Sequence, residues 1–205
     1  MIRVGLTGTL GAGKSTVAAL FEEWGARRID TDRLAREAVA PGQPALREIR
    51  DRWGPAVADE EGGLDRDALR EIVSRDPAAR RELEKLLHPE IRRLMEQELR
   101  EAEEEGVEVA VVEVPLLFEN ALADRFDVTV TVDAPRARRL ERVQEERDLP
   151  EAHFASMESA QWPGDRKLAA ADLAIENDGS LEELEEKARR AWERIPEAAA
   201  GSGGS

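Results

Sequence analysis

The hydrophobic positions of the chain form two kinds of pattern that alternate along most of its length. Short apolar runs bounded by turn residues are typical of buried strands, and they lie at residues 2–7, 107–114, 128–132 and 173–175, with a weaker run that ends at Ile29. Longer stretches between them place apolar residues on one helical face, as at 17–24 and 181–195. Strands that alternate with helices predict an α/β fold with a parallel sheet covered on both faces.

The middle of the chain follows a different pattern, because it contains no strand signal. Apolar residues keep helical spacing between Asp65 and Glu105, which predicts a helical insertion in the sheet fold. Pro89 is expected to break or kink this stretch at His88, since proline lacks an amide donor and disfavours a helical conformation in the residue before it. The predicted layout is an insertion at about 61–106 and a core at about 1–60 and 107–197.

The C-terminal region carries signals for one last helix. Ser180 and Glu183 have the spacing of a capping box, which marks a helix start. Pro196 is expected to lie just beyond the end of this helix. The remaining residues, 198–205, end in Gly-Ser-Gly-Gly-Ser and resemble a flexible linker.

Composition and charge narrow the class of protein. The 205 residues include no cysteine and two histidines, so a disulfide framework, a thiolate metal site and a His-rich metal site are excluded. A net charge of −15 argues against a broad nucleic-acid surface. No apolar stretch approaches the ~20 residues that span a bilayer, and no signal-type segment is seen. We therefore expect a cytoplasmic protein, without nucleic-acid or membrane partners, that acts on a small molecule.

A glycine-rich segment between the first predicted strand and the first predicted helix has the spacing of a phosphate-binding loop: glycine, four residues, then Gly-Lys-Ser. Glycines allow consecutive amides to point at phosphate oxygens, and the following helix adds its positive N-terminal end. Lys14 is expected to reach the β- and γ-phosphates, and the Ser15 hydroxyl to ligate magnesium. The predicted nucleotide contacts are Gly8, Leu10, Gly11, Ala12, Gly13, Lys14, Ser15 and Thr16.

Three classes of protein use such a loop: small-molecule kinases, guanine-nucleotide switches and mechanochemical ATPases. A switch needs an Asn-Lys-x-Asp segment to read the base, and the nearest candidate, residues 176–179, has no lysine. A motor ATPase usually ends an apolar strand in Asp-Glu, whereas the run before Val114 offers only Glu113. These observations favour the kinase.

Several further motifs follow the phosphate loop in a fixed order. They are Asp30-Thr31-Asp32-Arg33-Leu34-Ala35-Arg36, Leu64-Asp65-Arg66, Leu87-His88-Pro89, Pro115-Leu116-Leu117-Phe118-Glu119, and, toward the C-terminus, Arg142, Arg147, Gln161, Lys167, Ala171-Asp172, Asn177 and Gly179. In this order, and over nearly the whole chain, they resemble the dephospho-CoA kinase family. The resemblance implies a three-layer α/β phosphate-loop kinase fold with a helical acceptor-binding insertion and a short lid at about 136–167. It also implies that ATP, with Mg²⁺, phosphorylates the ribose 3′-hydroxyl of dephospho-CoA, the last step of coenzyme A synthesis.

The chain departs from the family pattern at three points. Thr9 and Ala12 replace the usual glycine and serine of the loop, and one extra residue separates Arg142 from Arg147. None of these departures removes a group expected to take part in catalysis. They leave the exact lid contact of Arg147 open.

The resemblance and the chemistry together assign candidate roles. An alcohol that attacks a γ-phosphoryl group needs a carboxylate to accept its proton, and Asp32 is the candidate. Asp30 is expected to support the geometry or a magnesium-bound water. The resemblance implies acceptor contacts at Arg36, Arg66, His88, Leu117 and Glu119, and ATP contacts at Arg142 and Asn177.

Each candidate has a plainer alternative. Asp32 and Asp30 are otherwise ordinary turn carboxylates, Arg36 lies on a solvated helix face, and His88 packs or breaks the helix. Residues 116–118 form either an apolar wall for the acceptor or core, and base rates favour core. Most of the five arginines at 136–147 are expected to be solvated, and Glu113 either holds a magnesium-bound water or is structural.

The sequence gives less support for the identity of the acceptor and for the assembly state than for the identity of the donor. The alternative function is a nucleoside or nucleotide monophosphate kinase, which differs only in its acceptor. The protein is expected to be a monomer or a small homo-oligomer.

Overall fold

The computed structural model describes residues 1–59, 62–147 and 149–202, and it contains one five-stranded sheet in the order β2-β3-β1-β4-β5. β1 is the central strand and pairs in parallel with β3 and β4, so that Val4 lies opposite both Val111 and Val128. β4 pairs in parallel with β5. The strands are β1 (Ile2–Gly8), β2 (Arg27–Asp30), β3 (Val109–Glu113), β4 (Val128–Asp133) and β5 (Leu173–Glu176), which confirms all five predicted runs.

Helices connect the strands, as parallel pairing requires. Two short 3₁₀ segments, Gly54–Val57 and Ala123–Arg125, accompany them. The helices are α1 (Lys14–Glu23), α2 (Thr31–Glu37), α3 (Pro44–Trp53), α4 (Arg66–Arg75), α5 (Pro77–Glu104), α6 (Arg136–Arg147), α7 (Glu151–Glu158), α8 (Gly164–Ala170) and α9 (Leu181–Ser202). None of the helices in the described ranges has the length and apolar character that crossing a bilayer would need.

The chain divides into two units, and the first, Met1–Ile29 with Ala102–Ser205, contains the sheet core. β-branched residues of β1 and β4 form the centre of this core, where Val4, Val130 and Val132 are fully buried. Phe21 of α1 packs against them, and its ring lies 5.4 Å from that of Trp192 on α9. Burial on both faces explains why these strands read as continuous apolar runs.

The second unit, Asp30–Glu101, has a core of its own. Val39, Ile49, Val57 and Leu69 form one buried cluster, with Leu83, Leu86 and Leu87 packed against it. Because this cluster draws on Val39 after α2, on α3 and on α4, the unit begins earlier in the chain than the insertion predicted at 61–106. That prediction overlaps the second unit but does not share its first boundary.

The structure contradicts a helix break at Pro89 and a helix end before Pro196. α5 runs through Pro89 without ending at His88, and α9 runs through Pro196 to Ser202. A kink at His88 stays a prediction. A proline removes one backbone donor from a helix, and the turns on both sides keep theirs. In α9, Ala198 and Ala199 pack against the sheet core, so residues 198–202 are helical rather than a flexible tail. The rest of that predicted tail, 203–205, lies outside the described residues.

The capping box is confirmed. The backbone N–H of Ser180 donates to Glu183 Oε2 at 2.7 Å, and the Glu183 N–H donates to Ser180 Oγ at 3.3 Å. The pair satisfies two donors that the first turn of α9 would otherwise leave without partners.

Candidate active site

The glycine-rich segment connects the end of β1 to the first residue of α1, as the mechanism requires. Gly11 and Gly13 adopt left-handed φ angles of 77° and 93°. A Cβ atom on Gly11 would lie 2.6 Å from the Arg139 carbonyl oxygen, and one on Gly13 would lie 2.5 Å from Asn177 Nδ2. Both positions therefore require glycine for their backbone angle and for the close approach of a neighbour.

Lys14 and Ser15, at the start of α1, share one buried partner. Lys14 Nζ forms an ion pair with Glu113 Oε2, and Ser15 Oγ donates to the same oxygen at 3.3 Å. Arg28 lies 2.7 Å from the other oxygen, Oε1. The Glu113 side chain is 2% exposed, so these cations and the hydroxyl compensate its burial. The residues predicted to bind phosphate and metal are thus held together by a carboxylate at the end of β3.

The outer side of the loop is held by side chains from α6 and from the segment after β5. Asn177 Nδ2 donates to Ala12 O at 2.8 Å, and Arg142 Nη1 donates to Gly11 O at 3.5 Å. Arg142 Nη2 also donates to Asn177 Oδ1 at 3.3 Å. The structure therefore brings both predicted donor-site residues to the loop, where they contact its carbonyl groups. Their contact with ATP stays a prediction.

Arg139 is a neighbour of the loop that the sequence analysis missed. It was grouped with arginines expected to be solvated, yet it is 7% exposed and its Nη1 donates to Leu10 O at 3.4 Å. One signal could have found it: Arg139 precedes Arg142 by three residues, so both lie on one helix face.

Two further side chains fix the first half of the loop. Gln161 Oε1 accepts the Leu10 N–H at 2.8 Å, and its Nε2 donates to Gly8 O at 3.4 Å. The hydroxyl of Thr9, which replaces the usual glycine, hydrogen-bonds to Asp133 at the end of β4. The departure at Thr9 thus ties the loop to a strand end.

Glu119 is bound to a buried lysine in this structure. Lys167 is fully buried, and its Nζ lies 3.0 Å from Glu119 Oε1 and 2.9 Å from Pro115 O. Burial lowers the pKa of Lys167, and the hydrogen bond from Glu119 opposes that shift. Glu119 also accepts the Trp162 N–H at 2.6 Å. It therefore anchors the segment between α7 and α8, and a substrate contact for it stays a prediction.

Leu117 has a core position. Its side chain is fully buried, and its Cδ1 lies 2.6 Å from where a Cβ of Gly5 would stand, inside the first unit. Its position therefore fits the interpretation of residues 116–118 as core, and a contact of Leu117 with the acceptor stays a prediction.

The candidate residues Asp32, Arg36, Arg66 and His88 lie in the second unit, whereas Leu117 and Glu119 lie in the first. Asp30 caps α2 by accepting the Asp32 N–H at 2.8 Å, which leaves Asp32 in the exposed first turn of that helix. Arg66 Nη2 donates to Arg36 O at 3.3 Å, so these two candidates are adjacent. His88 is half-buried within α5.

The predicted lid, 136–167, contains α6, α7 and the first part of α8. Its closure over a nucleotide stays a prediction, and the side chain of Arg147 lies outside the described residues. In the described ranges, no cluster of three or more histidine, aspartate or glutamate residues has the arrangement of a metal site. The Ser15 hydroxyl and the Glu113 carboxylate are hard oxygen donors at the start of α1, a type of ligand that suits Mg²⁺.

A family model and two relatives of similar sequence carry the same description. A family model described as dephospho-CoA kinase matches residues 2–183. The dephospho-CoA kinase of Thermobifida fusca is 42% identical over 195 residues, covering 95% of this chain and 96% of the relative. That of Anaeromyxobacter dehalogenans is 43% identical over 187 residues, covering 91% and 89%.

Two solved structures agree with the fold. A crystal structure of a Thermus thermophilus protein has a TM-score of 0.82 at 39% identity, covering 93% of this chain and 95% of that one. A dephospho-CoA kinase from Campylobacter jejuni has a TM-score of 0.71 at 23% identity, with 95% and 97% covered, which indicates a shared fold.

Proposed function

Because the chain belongs to the dephospho-CoA kinase family, we propose that ATP bound at its phosphate loop donates the phosphoryl group that converts dephospho-CoA to coenzyme A. The protein phosphorylates dephospho-CoA in coenzyme A biosynthesis, and the alternative of a nucleoside or nucleotide monophosphate kinase is not favoured. The observation that carries the proposal is the family match over residues 2–183, which includes a formed phosphate loop with Lys14 and Ser15 at the start of α1.

The donor side of the mechanism uses the loop and α1. Backbone amides of the loop and the N-terminal end of α1 bind the phosphates. Lys14 exchanges its partner Glu113 for the β- and γ-phosphate oxygens, and Glu113 keeps Arg28 as a counter-charge. Ser15 would hold Mg²⁺, which neutralises phosphate charge when it is bound. We further propose that Glu113 would hold a water molecule bound to that ion.

The acceptor side uses Asp32 and the other candidate acceptor contacts. The ribose 3′-oxygen forms a bond to the γ-phosphorus while the bond to the ADP oxygen breaks, and the hydroxyl proton passes to the Asp32 carboxylate. Asp30 supports this step by fixing the first turn of α2. Arg36, Arg66 and His88 are proposed to contact the acceptor, and Glu119 is proposed to contribute through its second oxygen.

Product identification tests the function directly. We offer ATP with dephospho-CoA, adenosine or AMP in parallel and identify the products by mass spectrometry. Coenzyme A and ADP are expected from the first mixture. Faster phosphorylation of AMP than of dephospho-CoA would move the assignment to the nucleotide kinase.

Removal of divalent cations should abolish the reaction. In excess chelator we expect turnover to fall by more than about 100-fold, because Lys14 and the loop amides alone leave much of the triphosphate charge uncompensated. Turnover is measured with chelator and again after Mg²⁺ is restored. Undiminished turnover in chelator would contradict a role for the metal and for Ser15 as its ligand.

Arg142→Ala should weaken ATP binding more than dephospho-CoA binding, by about 5- to 10-fold, because one charge-assisted contact at the loop is lost. Calorimetry with each ligand measures the difference. Arg138→Ala is the matched control, since Arg138 lies on the same helix but donates to Gly179 O at 2.8 Å. Wild-type ATP affinity and turnover in Arg142→Ala would return Arg142 to a structural role.

A further inference from the structure

Three consecutive carbonyl groups of the phosphate loop each accept a hydrogen bond from a side chain outside the loop. Arg139 donates to Leu10 O, Arg142 to Gly11 O and Asn177 to Ala12 O. In a trans peptide the carbonyl and the next residue's N–H point in opposite directions. Each of these bonds therefore sets the direction of one amide on the opposite side of the loop, namely those of Gly11, Ala12 and Gly13.

The amides on either side of Gly11 already have partners or lie within a turn. The Ala12 N–H donates within the loop, to Thr9 O at 3.1 Å, and closes a turn. The Leu10 N–H donates to Gln161 Oε1. The Gly11 amide follows the peptide whose carbonyl Arg139 holds, so its direction depends on Arg139.

The Arg139 guanidinium is well placed to hold this peptide. Its Nε donates to Ala134 O at 2.9 Å, just after β4, and its Nη2 lies 2.6 Å from Glu158 Oε1 on α7. Phe154 faces the same group at 5.7 Å from the ring centroid. Burial would raise the pKa of Glu158, but hydrogen bonds from Arg136 and Arg139 outweigh it and lower the pKa, so the carboxylate remains charged beside the arginine.

We propose that Arg139 is a positioning residue for the phosphoryl transfer, because it turns the Gly11 amide toward the donor phosphates. The proposal rests on the proposed use of ATP. The close approach of α6 to the loop supports it: the space where a Gly11 Cβ would stand is 2.6 Å from the Arg139 carbonyl oxygen, so a shift of this part of α6 displaces the loop directly. A preorganised amide at a γ-phosphoryl group acts most strongly on the transition state.

In a purely structural role, Arg139 would only connect α6 to α7 through its ion pair with Glu158. The two roles separate by substitution. Glu158→Gln breaks the ion pair but leaves Arg139 its bonds to Leu10 and Ala134. Arg139→Met removes all of them, and the double variant Arg139→Met with Glu158→Gln removes both partners of the ion pair.

We expect Arg139→Met to lower kcat by about 10- to 100-fold, to raise KM for ATP several-fold and to leave KM for dephospho-CoA within about 3-fold. Glu158→Gln should keep kcat within about 3-fold of wild type. The double variant should show the same kinetic defect as Arg139→Met, because both lack the hydrogen bond to Leu10 O. Arg139→Lys, which retains the charge and one donor, should recover part of kcat.

Steady-state kinetics with each substrate varied, together with thermal melts, decide the matter. A folded double variant with wild-type kcat would overturn the proposal, as would equal kinetic defects in Arg139→Met and Glu158→Gln. ATP binding is also measured by calorimetry without any acceptor. If dephospho-CoA is not the acceptor, wild type will form no coenzyme A, but the difference in ATP binding between wild type and Arg139→Met will persist.

Discussion

Asp32→Asn should lower kcat by about 10²- to 10⁴-fold, with KM for both substrates changed much less. Asparagine keeps the size of the side chain and one acceptor oxygen, so the acceptor can still bind. It removes the negative charge that takes the ribose proton. Because the transition state is largely dissociative, part of the value of Asp32 lies in orienting the hydroxyl, and the amide retains some of that. Steady-state kinetics, with folding checked by circular dichroism, measures the effect.

Asp30→Asn is the matched control for this prediction. Asp30 caps α2 through the Asp32 N–H, and asparagine caps helices as well as aspartate does. We therefore expect the control to retain stability and to lose much less activity. If Asp30→Asn were inactive and Asp32→Asn active, Asp30 rather than Asp32 would be the proton acceptor. Near-normal turnover in both variants would show that neither aspartate takes part in the proton transfer.

Lys14→Ala should lower kcat/KM by about 10²- to 10³-fold, the usual effect of losing one preorganised charge contact to the transition state, about 3 to 4 kcal/mol. The fold should survive, because Glu113 keeps Arg28 and the Ser15 hydroxyl as partners. Turnover and a thermal melt are measured together. Lys85→Ala, at an exposed position of α5, serves as the control for removing a lysine.

The result separates two readings of Lys14. A large loss of activity with a melting temperature near that of wild type supports a role at the phosphates. A melting temperature many degrees lower, with activity retained in the folded fraction, would make Lys14 a structural partner of Glu113 instead.

Local patterns were sufficient for the sheet and the loop. β1, β3 and β4 are buried on both faces. Such strands consist of continuous apolar runs, which can be recognised in the sequence alone. The phosphate loop has fixed spacing because its glycines meet steric demands at Gly11 and Gly13. The capping box of α9 likewise depends on four consecutive residues, 180–183.

Features that depend on distant partners were not predictable from local patterns. Lys167 is fully buried although lysine is rarely so, because Glu119 and the carbonyl of Pro115 come from another part of the chain. Arg139 looks like its solvated neighbours until Leu10 and Glu158 are placed beside it. Packing against the core likewise carries α9 beyond Pro196, where local rules end a helix.

The order of strands in the sheet also constrains how the chain assembles. β1 and β2 are synthesised first, but they are not neighbours, because β3 lies between them. The whole second unit is synthesised before β3 emerges. The two earliest strands therefore have no sheet partner until a distant segment inserts between them, which gives the fold a high contact order and a large loop-closure entropy. Val4 and Leu6 of β1, which are fully buried in the folded protein, therefore lack both neighbouring strands until β3 and β4 have been synthesised.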